Sequence, residues 1–264
     1  MKTKKRQPSS ALAEEGQSHK SGKWRIDTLL LERGLVPSRE RAQALLLAGQ
    51  VLANGQRIEK PGTRVLEDAK IQIVGQTPRY ASRGGLKLEG ALNDFSVNAA
   101  GRICLDIGSS TGGFTDCLLQ NGAHKVYAVD VTTAQLDWKL RQDPRVIPVE
   151  RNARYLRRED IGESPSLVTL DVSFISVAKV LPAIVPIAAP GADFLILIKP
   201  QFELEKRDVG KGGIVREASL HQKAVERGVA AGAQLGLEIA GLRPSRLPGA
   251  EGNREFFLHA KRPA

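Results

Sequence analysis

The chain has 264 residues, 41% of them hydrophobic, which is enough for one sizeable α/β domain and a smaller one. No apolar run approaches the ~18 residues of a membrane span, and the basic, polar N-terminus lacks the apolar core of a secretory signal, which argues against both classes. The net charge of +10 favours an anionic partner, either nucleic acid or an anionic membrane, without identifying it.

A basic tail and two helices are predicted first. Residues 1–23 are rich in Lys, Ser, Gln and Glu, with six basic against two acidic side chains, which predicts a disordered tail. Helical spacing of apolar residues predicts a helix over 25–33. A second helix is expected to begin after Ser38, a good N-cap, and to end at Gly49, which suits the position after a helix.

A hairpin follows the second helix. Asn54-Gly55 stands between the short strands 50–53 and 56–58, and this dipeptide strongly favours a two-residue hairpin turn. Strands at 65–66 and 71–74 are expected to complete one small sheet.

Gly and Pro residues then indicate a linker over 75–86, so a small module is expected at 24–74 and a large domain at 87–264. Strands alternate with helices in the large domain, which predicts an α/β fold with a mostly parallel sheet and helices on both faces. Helices are predicted at 87–93, 114–120, 135–140, 177–185 and 216–235, and strands at 103–107, 125–129, 146–149, 167–172, 194–198, 237–242 and 256–260.

The turn after the first strand of this domain is the most informative segment. The strand 103–107 contains Asp106 and leads into the glycine-rich turn 108–113, and the next strand ends at Asp130. Glycines let a ligand approach the backbone, the helix N-terminus offers N–H groups, and the later acidic residue suits a ribose diol. A carboxylate inside the loop would repel a pyrophosphate but suits an ammonium group, which favours S-adenosylmethionine over a dinucleotide.

More polar residues fall at strand ends. Asp171 and Lys199 each follow an apolar strand, and Glu255 precedes the last strand, whose start lies at the same edge if that strand is antiparallel. Lys87 comes from the helix before the first strand. Because ligands of open α/β sheets bind beyond the carboxyl ends of the parallel strands, the strand-end residues Asp106, Asp130, Asp171 and Lys199 are expected to converge on one edge of the sheet.

Cysteine and histidine positions give no sign of a metal. Cys104 and Cys117 fall in a predicted strand and helix, and they are interpreted as reduced core thiols of a cytoplasmic protein. No metal is expected, because metal-ligand spacing is lacking among His19, His124, His221 and His259.

The small module combines two helices and a hairpin with arginines at the start of the second helix. Its motifs are Arg25-Ile26-Asp27, Ser38-Arg39-Glu40-Arg41-Ala42, Gly49-Gln50-Val51 and Asn54-Gly55. It resembles the RNA-binding module shared by a small-subunit ribosomal protein, pseudouridine synthases and tyrosyl-tRNA synthetases. The resemblance implies contacts to RNA phosphates, which position RNA without reading its sequence. The residues expected to make them are Arg25, Arg39, Arg41, Arg57 and Lys60. A solvated helix face is the alternative.

A second set of motifs is distributed over the rest of the chain. They are Ser82-Arg83-Gly84 with Lys87-Leu88, the segment 106–114, Asp171-Val172-Ser173-Phe174-Ile175-Ser176, Ile198-Lys199-Pro200-Gln201-Phe202-Glu203, Gly212-Gly213-Ile214-Val215 and Gly252-Asn253-Arg254-Glu255. Together they resemble the TlyA family, whose members are named as haemolysins and act as rRNA 2′-O-ribose methyltransferases with an FtsJ-like catalytic domain. The resemblance covers nearly everything from Arg25 to Ala264.

This resemblance implies a Rossmann-like methyltransferase sheet and a catalytic tetrad of Lys87, Asp171, Lys199 and Glu255. Lys199 is the candidate nearest the reacting ribose oxygen, either as a base or as a charge that stabilises the developing alkoxide. The expected partner is ribosomal RNA or a ribosomal subunit, and the expected methyl donor is S-adenosylmethionine. The residues expected around that donor are Asp106, Gly108, Ser110, Gly112, Gly113, Phe114, Asp130 and Asn152.

Two alternatives to this function stay open. Thr132-Thr133 stands where the family usually has a glycine and then an aromatic residue or histidine, and a β-branched residue does not easily adopt positive φ. A changed loop near the cofactor ribose fits a non-enzymatic RNA-binding factor of ribosome assembly. The family name suggests a membrane-active cytolysin, for which the sequence offers no basic amphipathic helix.

Overall fold

The computed structural model describes residues 22–75, 78–249 and 252–264. The chain divides into two compact units, 1–77 and 78–264. Most of the predicted tail lies outside the described residues, although Lys23 belongs to a strand of the first unit.

The first unit contains both predicted helices and the predicted hairpin. Ser38 accepts a hydrogen bond from the Arg41 N–H (3.2 Å), as an N-cap should. Asn54 and Gly55 have φ of +51° and +80°, the left-handed pair that a type I′ turn needs. The elements are β1 (Lys23–Arg25), α1 (Ile26–Glu32), α2 (Arg39–Leu47), β2 (Val51–Ala53), β3 (Gln56–Ile58), β4 (Arg64–Leu66) and β5 (Ile71–Ile73).

The prediction of one small sheet in this unit is wrong. The strand β2 lies between β3 and β5, whereas β4 pairs antiparallel with β1 in a separate sheet. All three residues of β1 are exposed, so they carry no alternation of apolar and polar residues that would have revealed the strand. The core of the unit is built on Ile26, Leu30 and Leu46, which are fully buried.

The second unit is a seven-stranded sheet with helices packed against it. The strand order is β11-β12-β10-β9-β6-β7-β8, parallel from β10 to β8, with β12 antiparallel to both of its neighbours. The elements are α3 (Gly84–Asp94), β6 (Ile103–Ile107), α4 (Gly113–Gln120), β7 (Lys125–Asp130), α5 (Trp138–Gln142), β8 (Val146–Glu150), β9 (Leu167–Leu170), α6 (Leu181–Ile184), β10 (Asp193–Ile198), α7 (Pro200–Glu203), α8 (Ala218–Gln234), β11 (Glu238–Pro244) and β12 (Phe256–Lys261).

This strand order creates a crevice at the middle of the sheet. The chain runs outward from β6 through β7 to β8 and then returns to the other side of β6 with β9. Ligands of such sheets bind at this switch point, beyond the carboxyl ends of the strands. Side chains of β10 show why both faces are covered: Phe194 and Ile196 enter one apolar core, and Leu195 and Leu197 enter the other.

Two predicted helices are shorter than their apolar patterns suggested. The stretch 135–140 is a single 3₁₀ turn followed by α5, and 177–185 is α6 between two 3₁₀ turns. Pro182 and Pro186 explain the second case, because proline has no N–H to continue a helix.

The predicted linker is also longer than the observed boundary. Tyr80 is buried in a core that contains Leu88, and α3 already begins at Gly84. Residues 78–86 therefore belong to the second unit, and their two glycines, Gly84 and Gly85, are the first residues of α3.

Both cysteines lie in the core of the second unit, as expected. Cys104 and Cys117 are fully buried and carry free thiols. Burial raises the pKa of each thiol to about 12, so both stay protonated at neutral pH.

Candidate active site

An open cleft of about 260 Å³ lies in the second unit, beside the carboxyl ends of β6, β9 and β10. One wall is the glycine-rich turn after β6. The opposite wall carries Asp171, which follows β9, and Lys199, which follows β10. The cleft therefore lies at the switch point where the sheet topology predicts a ligand site.

The first ion pair of the site joins these two strand ends. Lys199 Nζ lies 2.6 Å from Asp171 Oδ1 and donates a hydrogen bond to Ser173 Oγ (3.0 Å). Lys199 follows the buried apolar residues 194–198 of β10, so its backbone is held firmly. The pair presents an ammonium and a carboxylate directly to the cleft.

A second ion pair joins α3 to the start of β12, and its lysine, but not its glutamate, also lines the cleft. Lys87 lies on α3, and its Nζ is 2.5 Å from Glu255 Oε2. Both side chains are almost fully buried. Because β12 is antiparallel and pairs Phe256 with Ile198, Glu255 precedes its strand at the edge where Lys199 follows the neighbouring strand. A Cβ on Gly249 would lie 2.5 Å from Glu255 Oε1, so glycine there leaves room for the carboxylate.

Glu203 ties together the two loops that carry Asp171 and Lys199. This buried carboxylate accepts hydrogen bonds from Ser176 Oγ (2.5 Å) and from the Val177 N–H (2.9 Å). Burial raises the pKa of the Glu203 carboxyl. The two strand ends are therefore held relative to each other by hydrogen bonds as well as by the sheet.

Close packing explains two glycines of the turn after β6. Gly108 has φ of +84°, and a Cβ there would lie 2.3 Å from the Asp171 carbonyl oxygen. Gly112 has φ of +94°, and a Cβ there would lie 2.2 Å from a Leu140 methyl carbon. The first glycine thus lets the turn approach the strand end that carries Asp171.

The structure separates the residues expected around the cofactor into two groups. Gly108, Ser110, Gly113 and Phe114 line the cleft. The other four do not line it. Asp130 accepts from the Ser110 N–H (2.9 Å), Asn152 accepts from the Arg154 N–H (3.1 Å), Gly112 faces Leu140, and Asp106 lies in the interior.

The Thr132-Thr133 segment is built without positive φ. Thr132 is extended, with φ of −144°, and the Thr133 N–H donates to Glu150 Oε2 (3.1 Å). The β-branched residues are therefore accommodated without strain in a loop that is anchored to the end of β8.

Asp106 lies in a different place from the one the sequence suggested. It was expected inside the loop, facing an ammonium group, but it belongs to β6 and is fully buried. Its carboxyl accepts hydrogen bonds from Thr115 Oγ1 (2.7 Å) and Thr169 Oγ1 (3.0 Å). Burial raises the pKa of this carboxyl to about 7. Asp106 therefore links β6 to the first turn of α4 through its hydrogen bond with Thr115, and so helps to fix the glycine-rich turn between them.

We expect Asp106→Asn to flatten the pH dependence of stability. The pKa of Asp106 is raised on folding from an ordinary value near 3.8, so the unfolded chain loses this proton first as pH rises. Stability contributed by the group is then complete below about pH 4, falls up to about pH 7 and is level above that. Urea unfolding of both proteins at pH 5 and pH 8 measures the effect. If the variant lost as much unfolding free energy as the parent between pH 5 and pH 8, the assignment would be contradicted.

The five residues expected to bind RNA all lie in the first unit, but two of them have partners in the protein. Arg25 and Arg39 form ion pairs with Asp27, which is fully buried. Arg57 and Lys60 are exposed on and after β3, and Arg41 is half-buried on α2.

Several residues of the cleft were not assigned a role from the sequence. The lining also includes Ser82, Arg83, Ser173 and Pro248. The first three belong to motifs identified in the sequence, but none of the four had been given a function there. Phe174 is 92% exposed, has φ of +64° and packs at 5.2 Å from the Phe202 ring. A bulky residue in that conformation is unusual, and the strained turn displays an aromatic ring three residues after Asp171.

Two kinds of site were also sought in the described ranges. Residues 22–75, 78–249 and 252–264 contain no group of three His, Cys, Asp or Glu side chains placed to hold a metal ion. Within the same ranges, no helix has both the length and the apolar character needed to cross a membrane.

Comparison with known families matches both units. Residues 80–262 match the FtsJ-like methyltransferase family, and residues 24–71 match the S4 domain. These ranges agree closely with the two units of the structure.

Individual relatives extend along most of the chain. The Bacillus subtilis protein YqxC, named as an rRNA methyltransferase, is 48% identical over 90% of this chain and 86% of its own length. The 16S/23S rRNA (cytidine-2′-O)-methyltransferase TlyA of Mycobacterium tuberculosis is 47% identical over 89% of this chain and 88% of its own. A solved structure from Streptococcus thermophilus, named as a hemolysin, is 44% identical with a TM-score of 0.71, over 91% of this chain and 89% of that one. The chain therefore belongs to the FtsJ-like methyltransferase family, in the TlyA branch that carries an S4 domain.

Proposed function

We propose that this protein transfers the methyl group of S-adenosylmethionine to a ribose 2′-hydroxyl of ribosomal RNA. The observation that carries the proposal is the Lys199–Asp171 pair, 2.6 Å apart, in a cleft that also contains the glycine-rich turn. The names of YqxC and TlyA supply the substrate class. With this substrate the proposed location is the cytoplasm, and the proposed partner is ribosomal RNA or a ribosomal subunit.

The cleft residues fit S-adenosylmethionine, which is the methyl donor. The open backbone of Gly108, Ser110 and Gly113 and the ring of Phe114 offer polar and apolar surface to a nucleoside. Asp130, held against the Ser110 N–H at the adjoining strand end, is the candidate for the ribose hydroxyls. When bound, the donor supplies an electrophilic methyl group on a sulfonium.

We assign activation of the acceptor hydroxyl to Lys199. A ribose hydroxyl is a weak nucleophile and must lose its proton as it attacks. Lys199 Nζ, aimed into the cleft by Asp171 and Ser173, is the group to accept that proton or to stabilise the oxygen as negative charge develops. Lys87 also lines the cleft, and we assign its buried pair with Glu255 to holding α3 against the start of β12 at this site.

Recognition of RNA involves both units in this proposal. Arg41, Arg57 and Lys60 of the S4 domain supply positive charge for phosphates. In the second unit, the exposed Phe174 ring offers a surface on which an unpaired base can stack, a common mode of RNA recognition. The Phe174 ring lies 5.2 Å from the Phe202 ring, which is itself 6.0 Å from Lys199 Nζ, so a nucleotide stacked on Phe174 would bring its ribose near the ion pair.

The function is tested by mapping ribose methylation in rRNA from cells with and without the protein. One or more 2′-O-methyl groups should be lost in its absence and restored by the purified protein with S-adenosylmethionine. Calorimetry with this donor and with its demethylated product should show binding. If calorimetry detected no binding heat at millimolar ligand, or if the methylation map did not change, the non-enzymatic role in ribosome assembly would be the better hypothesis.

A further inference from the structure

A buried carboxylate links two of the arginines assigned to RNA. Asp27, in the first turn of α1, is 0% exposed. Arg25 donates to it through Nε (3.0 Å) and Nη2 (2.9 Å), one bond to each oxygen. Arg39, the first residue of α2, donates through Nε to the same Oδ2 (3.1 Å), and the Thr28 N–H donates to Oδ1 (3.0 Å). The Arg25 guanidinium holds the pKa of Asp27 well below its usual range, so the carboxyl is an anion at neutral pH.

This arrangement keeps two positive groups side by side at the surface. Guanidinium groups that meet at one oxygen would repel each other without the carboxylate between them. The Arg25 and Arg39 side chains are 46% and 51% exposed, so the pair reaches solvent. The contacts of residues 22–75 leave Arg25 Nη1 and both Arg39 Nη groups able to donate elsewhere. Planar, charged donors held in place suit the oxygens of a phosphate.

We propose that Asp27 positions Arg25 and Arg39 as a clamp for one phosphodiester of bound RNA. The inference rests on the proposed function, in which the first unit docks RNA, and adds a defined contact and a residue that orients it. The start of α2 also favours an anion, because the first N–H groups of a helix lack partners within it and carry partial positive charge. Asp27 touches no RNA in this arrangement and acts through the two arginines.

The test uses the fact that charge and positioning predict opposite results. Asp27→Asn makes the protein more positive, so simple electrostatics predicts tighter binding to RNA. The clamp predicts that the full-length variant binds a fluorescein-labelled rRNA fragment about tenfold more weakly, with a salt dependence reduced by about one charge unit. Asp68→Asn is the matched control, because it removes the same charge from an exposed turn between β4 and β5. It should bind as the parent does, or slightly better.

The clamp and a purely structural role for Asp27 predict different kinetic constants and affinities. Under the clamp, Asp27→Asn raises KM for RNA without lowering kcat, and the triple variant Arg25→Gln/Asp27→Asn/Arg39→Gln binds no more weakly than the double variant Arg25→Gln/Arg39→Gln. Thermal unfolding of each variant shows whether affinity simply follows the folded fraction.

Three results would overturn the clamp: binding by Asp27→Asn equal to the parent, an unchanged salt slope, or an equally large loss when Asp27→Asn is added to the double variant Arg25→Gln/Arg39→Gln. Failure of the proposed function is distinct, because the parent and Asp68→Asn would then also show no salt-dependent binding and no methyl transfer to rRNA.

Discussion

Replacing Lys199 with alanine is expected to lower the rate of methyl transfer by about 10²–10⁴-fold while S-adenosylmethionine binding changes little. Lys199 directly follows β10 and contacts Asp171 and Ser173, so its ammonium is held in place at the cleft. The rate is measured with radiolabelled methyl donor and rRNA under single turnover, and donor affinity by calorimetry.

Lys199→Arg is the informative companion variant. A guanidinium stays protonated and its planar fork differs in shape from an ammonium, so activity should not return. For the parent enzyme, a rate that rises toward alkaline pH supports Lys199 as the base, and a flat profile with chemistry rate-limiting supports charge stabilisation. Full activity in Lys199→Ala would remove the assignment of the whole tetrad.

Local sequence signals predicted much of this molecule. Ser38 and the Asn54-Gly55 turn act over a few residues, so their effects could be inferred without knowledge of the rest of the fold. The strand-end positions of Asp171 and Lys199 followed from apolar runs and from the rule that parallel strands end at one edge.

Tertiary partners were beyond the reach of those signals. The motif that contains Asp27 is polar, and its burial depends on two arginines that approach it from separate elements. Asp106 is the last residue but one of β6 and is fully buried. Neighbouring residues of a strand point to opposite faces, so a small error in locating the strand end changes whether this carboxylate is expected to be buried or exposed. The pairing of β4 with β1 joins segments about 40 residues apart through exposed side chains, which leave no periodic trace.

Glu255→Ala is expected to be the most destabilising of the tetrad substitutions. The Lys87 and Glu255 side chains are only 11% and 2% exposed, so removal of the carboxylate leaves a buried ammonium without its partner. Such a change costs about 3–5 kcal/mol of unfolding free energy. Urea unfolding measures the loss, and Glu205→Ala is the control. Glu205 pairs with Arg207 on the surface, where an ion pair contributes at most about 1 kcal/mol.

The double variant Lys87→Met/Glu255→Leu separates stability from chemistry. Replacement of both charges by apolar side chains of similar volume removes the unpaired ammonium, so most of the stability lost in Glu255→Ala should return. Methyl transfer should stay as low as in the single variant, because the Lys87 ammonium that lines the cleft and its Glu255 partner are absent. Recovery of activity together with stability would show that the pair serves folding alone, and the catalytic assignment would then rest on Asp171 and Lys199.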